Sequence, residues 1–189
     1  MTSRPPPPHP HLGLLTGVVG VVTVADQATK AWIRDQLQVR EARPVLPGLL
    51  ELFHLENPGI TWGLLSGHPL RLPFVTFLSL AAVLLVGAWF RRLGPDERPL
   101  ALSLALVLGG AAGNFLDRLL YRRVTDFLHV ILPGAPGDWL ESLSGSRSWA
   151  VFNLADVAIS GGLLLFALLV AQGRAAPPRM GAETPAEPS

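Results

Sequence analysis

The 189-residue sequence predicts an all-α integral membrane protein: four transmembrane helices, a strand-like stretch between the first two, and a short interfacial segment before the last. Three observations carry that prediction. Hydrophobic residues make up 49% of the chain and charged ones 15%, against roughly 25% charge in an average soluble domain, so lipid is the main solvent of this chain. Four apolar stretches each run for about twenty residues, enough for a helix to cross a hydrocarbon core of ~30 Å. Aspartates stand within or at the ends of those stretches, where a carboxylate is costly unless it faces a polar cavity or finds a partner.

The elements follow in order. Residues 1–11 are rich in proline, which fixes φ and lacks the amide donor a helix needs, so they read as a disordered tail. The first span covers Leu12 to Trp32, with Asp26 and Lys30 in its last turns. A cleaved signal peptide is the competing reading. Thr23-Val-Ala25 is a poor cleavage site, however, and the helical pattern continues past it. Between the first and second spans, Leu49 to Glu56 alternates like a strand and ends on the turn Asn57-Pro-Gly59. The second span, Leu72 to Phe90, is almost wholly apolar and closes on Arg91 and Arg92. The third, Pro99 to Leu120, contains Gly109-Gly-Ala-Ala-Gly113, a small-residue surface suited to close helix packing. A Pro- and Gly-containing connection follows, in which Asp138 to Leu143 reads as a short interfacial helix. The fourth span, Ala150 to Ala171, carries Asp156, and residues 173–189 form a second flexible tail.

Orientation is not settled by charge. The tails and the short turn hold Arg4, Arg91, Arg92, Arg98, Arg174 and Arg179, while the two long connections and their helix ends hold Lys30, Arg34, Arg40, Arg43, Arg71, Arg118, Arg122, Arg123 and Arg147. Applied blindly, the positive-inside rule puts the long connections in the cytoplasm. Several of these cations sit beside acids and are available for neutralisation within a site.

Composition narrows the chemistry. With no cysteine, there is no disulfide, thiolate metal site or cysteine nucleophile. His9, His11, His54, His68 and His129 lack zinc-ligand spacing, so no metal and no cofactor is expected. No G-x-S-x-G elbow marks a serine hydrolase, and no basic run suggests nucleic acid. The acids remain. Asp26 and Lys30 lie one helical turn apart in the favourable order, an ion pair that is either structural or part of a site. Asn114, Asp117 and Arg118 share one helix face, and the neighbouring guanidinium suits Asp117 to a fixed supporting role. Arg118 is alternatively a holder of a substrate carbonyl. Asp126 reads as a loop acid or a helix cap, or as a reacting group; Asn153 and Asp156 share a face of the last helix. Two carboxyls brought together share one proton, so that one serves as general base on water and the other as general acid toward a carbonyl oxygen.

Taken together, Asp26-Gln-Ala-Thr-Lys30, Asn57-Pro-Gly-Ile-Thr-Trp62, Gly113-Asn-Phe-Leu-Asp-Arg118, Val124-Thr-Asp-Phe127 and Phe152-Asn-Leu-Ala-Asp156 resemble the motifs of the lipoprotein signal peptidase (signal peptidase II) family, in that family's order and over roughly residues 12–172. The resemblance implies an aspartyl endopeptidase of the bacterial inner membrane with Asp126 and Asp156 as its catalytic pair. It implies cytoplasmic termini, a small extracytoplasmic β-cradle bearing Asn57 and Gly59, and a site near the extracytoplasmic face. Asp26, Lys30, Asn57, Gly59, Asn114, Asp117, Arg118 and Asn153 are then substrate-binding or supporting residues. The implied partners are membrane lipid and diacylglyceryl-modified prolipoproteins, cut just before the lipidated cysteine by a monomeric enzyme. Two features depart from the family pattern: Thr61 stands where an alanine is common, and the segment from Leu132 to Ala150 is longer than usual. The rival readings are a proton-coupled transporter using Asp26, Asp117 and Asp156, and a non-catalytic assembly factor built on the Gly109–Gly113 face. The clustering of the acids toward one end of the helices disfavours the transporter.

Overall fold

The structure is a computed structural model that describes residues 9–58 and 71–174. In chain order it contains α1 (Leu12–Gln36), β1 (Ala42–Leu46), β2 (Leu50–Asn57), α2 (Arg71–Phe90), α3 (Arg98–Tyr121), β3 (Val124–Val130), α4 (Gly134–Ser144) and α5 (Leu154–Ala171). The molecule is mostly helical, with one small antiparallel sheet in the order β1-β2-β3. Among the described residues, α1, α3 and α5 are long and apolar enough to cross a membrane. Their outward faces carry exposed apolar side chains such as Val21, Leu119 and Leu164, as expected where lipid replaces water.

α3 is the central helix, packed against α1, α2 and α5. Its glycines make that possible. A Cβ at Gly109 would lie 2.9 Å from Val22 Cβ, and one at Gly110 would meet the backbone carbonyl of Ala155. From the other side, Gly162 of α5 sits against the Ser103 carbonyl, and Ser103 Oγ donates to Gly162 O at 2.9 Å. Close backbone approach of this kind replaces the hydrophobic drive that helices lack in lipid. Near the α2–α3 turn, Phe90, Leu93, Leu100, Ala101, Leu104 and Leu169 form one apolar cluster. His11 is buried beside that turn, with Nε2 2.8 Å from the Gly94 carbonyl. At the opposite end, Ile33, Leu37 and Phe127 seal the helices against the sheet.

Two elements differ from the sequence expectation. The stretch around Asp126, read as a loop or cap, is strand β3, paired with β2 from Val124↔Asn57 to Val130↔Leu50. The last helix begins at Leu154 rather than Ala150. Phe152 is held extended instead: its amide donates to Leu128 O at 3.1 Å, and its carbonyl accepts from the amides of Phe127 and Leu128. The segment expected to be a short helix before the last span forms one, α4, and the strand-like stretch after the first span is β2.

Candidate active site

Every site residue predicted from sequence that falls among the described residues lies at one end of the helices. Asp26 and Lys30 come from the C-terminal half of α1; Asn114, Asp117 and Arg118 from the end of α3; Asp126 from β3; Asn153 and Asp156 from the start of α5. Asn57 is the last residue of β2. Gly59 and Thr61 lie outside the described residues.

The foundation is a buried ion cluster. Asp26, Lys30 and Asp117 are all 0% exposed. Lys30 Nζ lies 2.8 Å from Asp26 Oδ2 and 3.2 Å from Asp117 Oδ2, and it donates to Asn114 Oδ1 at 2.8 Å. The pair is therefore not a surface bridge. Buried charges of this kind are tolerated only when every lone pair and proton is engaged, and here they are engaged by backbone as well. Asp26 Oδ1 accepts the Ala155 amide at 2.9 Å, and Asp117 Oδ2 accepts the Thr125 amide at 2.9 Å. Asp26 thus holds the first turn of α5 and Asp117 holds the first residues of β3. Each is the element that carries one of the two candidate catalytic acids.

Two asparagine amides connect this base to those acids. Asn153 Nδ2 donates to Asp126 Oδ1 at 2.6 Å and to Asn114 Oδ1 at 3.1 Å. Asn114 Nδ2 donates to Asp156 Oδ1 at 2.8 Å. Asn153 is also the N-cap of α5: its side-chain oxygen accepts the Asp156 amide at 3.0 Å, and its own amide donates to Asp156 Oδ2 at 3.1 Å. This reciprocal capping box satisfies two helix-end donors. It also fixes the Asp156 carboxylate and leaves the Asn153 amide pointing at Asp126. Asn57 Nδ2 donates to the remaining Asp126 oxygen, Oδ2, at 2.9 Å.

The two carboxyls sit in different surroundings. Asp126 is buried, 3% exposed, whereas Asp156 is only partly covered. Removal from water pushes the Asp126 carboxyl up to about 6; hydrogen bonds from Asn57 and Asn153 and the Lys30 charge pull it down, and the Asp156 charge pushes it further up. Arg118 Nη1 donates to the Asn114 carbonyl at 3.1 Å, while its buried Nε has no partner among the described residues. No three acids or histidines among the described residues converge as metal ligands.

Two supporting residues are not evident from sequence pattern. Gln27 Nε2 donates to Gly113 O, Asp117 Oδ1 and Asp26 Oδ2 at 3.0, 3.1 and 3.2 Å, bridging α1 and α3. Arg34 lies 3.6 Å from Asp117, donates to Thr125 Oγ1 at 2.9 Å, and stacks over Tyr121 with its guanidinium carbon 4.3 Å from the ring centre. Gln27 stands inside the Asp26–Lys30 motif. Arg34 lies one turn beyond that motif on the same helix face, and this spacing is the one available clue.

Comparison with known proteins bears on the assembled site. Residues 18–172 match the family model described as signal peptidase (SPase) II. The chain is 35% identical over 159 residues to the lipoprotein signal peptidase of Geobacter metallireducens, covering 84% of this chain and 91% of that protein. It is 39% identical over 145 residues to the lipoprotein signal peptidase of Moorella thermoacetica, covering 77% and 84%. Among solved structures, a bacterial membrane enzyme determined by the in meso method at 2.3 Å superposes with a TM-score of 0.70 at 22% identity, covering 91% of this chain and 96% of that one. A second such structure, at 1.9 Å resolution, gives a TM-score of 0.68 at 23% identity. These two share the fold.

Proposed function

Because the chain belongs to the lipoprotein signal peptidase (signal peptidase II) family, we propose that it is an intramembrane aspartyl endopeptidase in which Asp126 and Asp156 form the catalytic dyad. It is a multi-pass membrane protease that cleaves signal peptides from prolipoproteins. In this reading the bond cut is the one immediately before the diacylglyceryl-modified cysteine. The observation that carries the dyad is Asn153: its side-chain amide donates to Asp126 Oδ1 at 2.6 Å while its backbone amide donates to Asp156 Oδ2 at 3.1 Å. One residue thereby ties both carboxyls into a single polar network.

The two environments divide the labour. Asp126, with its carboxyl lifted to about 6, holds the shared proton. Asp156 receives donors from Asn114 and the Asn153 amide and acts as the carboxylate. Asp156 takes a proton from water as the water oxygen attacks the scissile carbonyl carbon, and Asp126 gives its proton to the carbonyl oxygen. In the collapse of the resulting gem-diol, the C–N bond breaks and Asp156 passes its proton to the leaving amine. Asp126 recovers its own from a diol hydroxyl as the carboxyl product forms. Arg118, whose buried Nε has no partner among the described residues, orients the substrate carbonyl. The buried Asp26–Lys30–Asp117 cluster fixes the elements that bear the acids and meets the substrate only through them.

The same reading makes α2 the fourth span. It places the protein as a monomer in the bacterial cytoplasmic (inner) membrane, with both termini cytoplasmic and the sheet and dyad near the extracytoplasmic face. No cofactor takes part. Release of signal peptide from a lipidated precursor in detergent tests the dyad. Asp126→Asn and Asp156→Asn are each expected to lower turnover by at least ~10²–10⁴-fold while keeping the melting transition of a folded protein. Near-normal turnover by either variant rejects the assignment.

A further inference from the structure

Between β3 and α5 the chain makes an excursion closed at its neck. Leu132 N donates to Arg147 O and Trp149 N to Val130 O, both at 2.9 Å, and Ile131 pairs with Ser148. Within the excursion, Arg147 pairs with Asp138 and places Nε 2.9 Å from Glu141 Oε2. Gly137 seats the helix against Leu132, whose carbonyl a Cβ would meet. α4 is therefore fixed to the end of the strand that bears Asp126.

What it presents outward is apolar. Trp139 is 64% exposed and Leu143, one helical turn on, 67%; Trp149 at the neck is 57% exposed. Two uncovered indoles beside an uncovered leucine are unfavourable in water. The same side chains suit the bilayer boundary, where an amphipathic ring lies at headgroup depth. The position along the chain agrees. Trp149 precedes Leu154, the first residue of α5, by so few residues that the two lie within ~17–18 Å of each other. The outward face of α5 is itself apolar at Val157, Leu164 and Leu168, so the exposed apolar residues of the excursion lie a short chain distance from a face suited to lipid. Asp138 and Glu141 against Arg147 leave the excursion with a net negative charge, so attraction to anionic headgroups does not account for the arrangement.

We propose that α4 is a lipid-contact element, lying in the interface plane with Trp139, Leu143 and Trp149 in the headgroup–acyl boundary and Glu141 toward water. It holds the sheet, and Asp126 with it, at a set depth. The proposal rests on the family reading only in taking α5 to span the bilayer.

The chain has no cysteine, so single nitroxides are introduced cleanly at Leu143→Cys, Glu141→Cys and Leu164→Cys. In phosphatidylcholine proteoliposomes of the full chain, power saturation compares collision with oxygen against collision with a water-soluble nickel chelate. Position 143 is expected to favour oxygen, as 164 does, and position 141 to favour nickel. Equal nickel access at 143 and 141 overturns the proposal and leaves the face open to water or a protein partner. Oxygen preference at both positions overturns the orientation assigned to the helix. Nickel preference at 164 strikes instead at the spanning role of α5, and so separates the two readings.

Discussion

At the scale of single residues, Asp126 is held by opposing influences whose signs are separable. Burial raises its pKa, and the hydrogen bond from Asn57 is the first influence that lowers it. A dyad that needs one shared proton loses activity as pH rises through the Asp126 pKa, so the alkaline limb of kcat/KM reports this group. Asn57→Ala is expected to move that limb to higher pH; a limb that stays put or moves down contradicts the role given to Asp126. Folding is linked to the same proton. Because the folded carboxyl is raised from 3.8 to about 6, its contribution to stability is fully present below pH ~4 and is lost as pH rises through 6, a change of about 3 kcal/mol. Asp126→Asn is expected to remove that slope from melting curves recorded between pH 4 and 7.

At the scale of elements, small residues and caps set the positions of α1, α3 and α5. Gly110 faces the Ala155 carbonyl, one residue before Asp156, so a methyl group there displaces the end of α5 that bears Asp156. Backbone does not yield as a flexible side chain does. Gly110→Ala is expected to cost roughly 1–3 kcal/mol and to lower kcat along with stability. Gly17→Ala, on α1 with nothing within 4 Å, is the contrast, expected to be neutral or to stabilise by up to ~1 kcal/mol. Thermal melts in detergent alongside turnover check both; equal behaviour of the two variants removes the packing argument. The elements also show how far sequence reading reaches. Hydropathy locates α1, α2 and α3 to within a few residues, because a long apolar helix is specified by its own run of apolar residues. Alternation found β2. It missed β3, since Val124-Thr-Asp-Phe-Leu-His-Val130 is short and meets its partner more than sixty residues earlier, at Asn57 to Leu50. The start of α5 was misread because Asn153 looks like a helical residue until its side chain is seen capping Asp156.

At the scale of the whole molecule, the proposed four spans, being an even number of crossings, put both termini on one side and the two long connections on the other. With Lys30, Arg34 and Arg118 engaged by acids or carbonyls inside the site, the count of free cations on the sheet side falls, and the positive-inside argument for a cytoplasmic sheet weakens. Fusion of green fluorescent protein to the C-terminus is expected to fluoresce, and fusion of alkaline phosphatase there to be inactive. The reverse pattern inverts the molecule and refutes an extracytoplasmic site. The sequence by itself determined that this chain belongs in a bilayer, that its acids stand at the ends of apolar stretches, and which motifs carry the family resemblance; these are properties of composition and local pattern. Only the tertiary structure decided that Asp126 lies on a strand, that Asp26 and Asp117 grip the backbones of α5 and β3, and that Asn153 ties the two acids together. Those facts depend on contacts between residues distant in the chain, and such contacts come into existence only when α3 draws α1 and α5 into register.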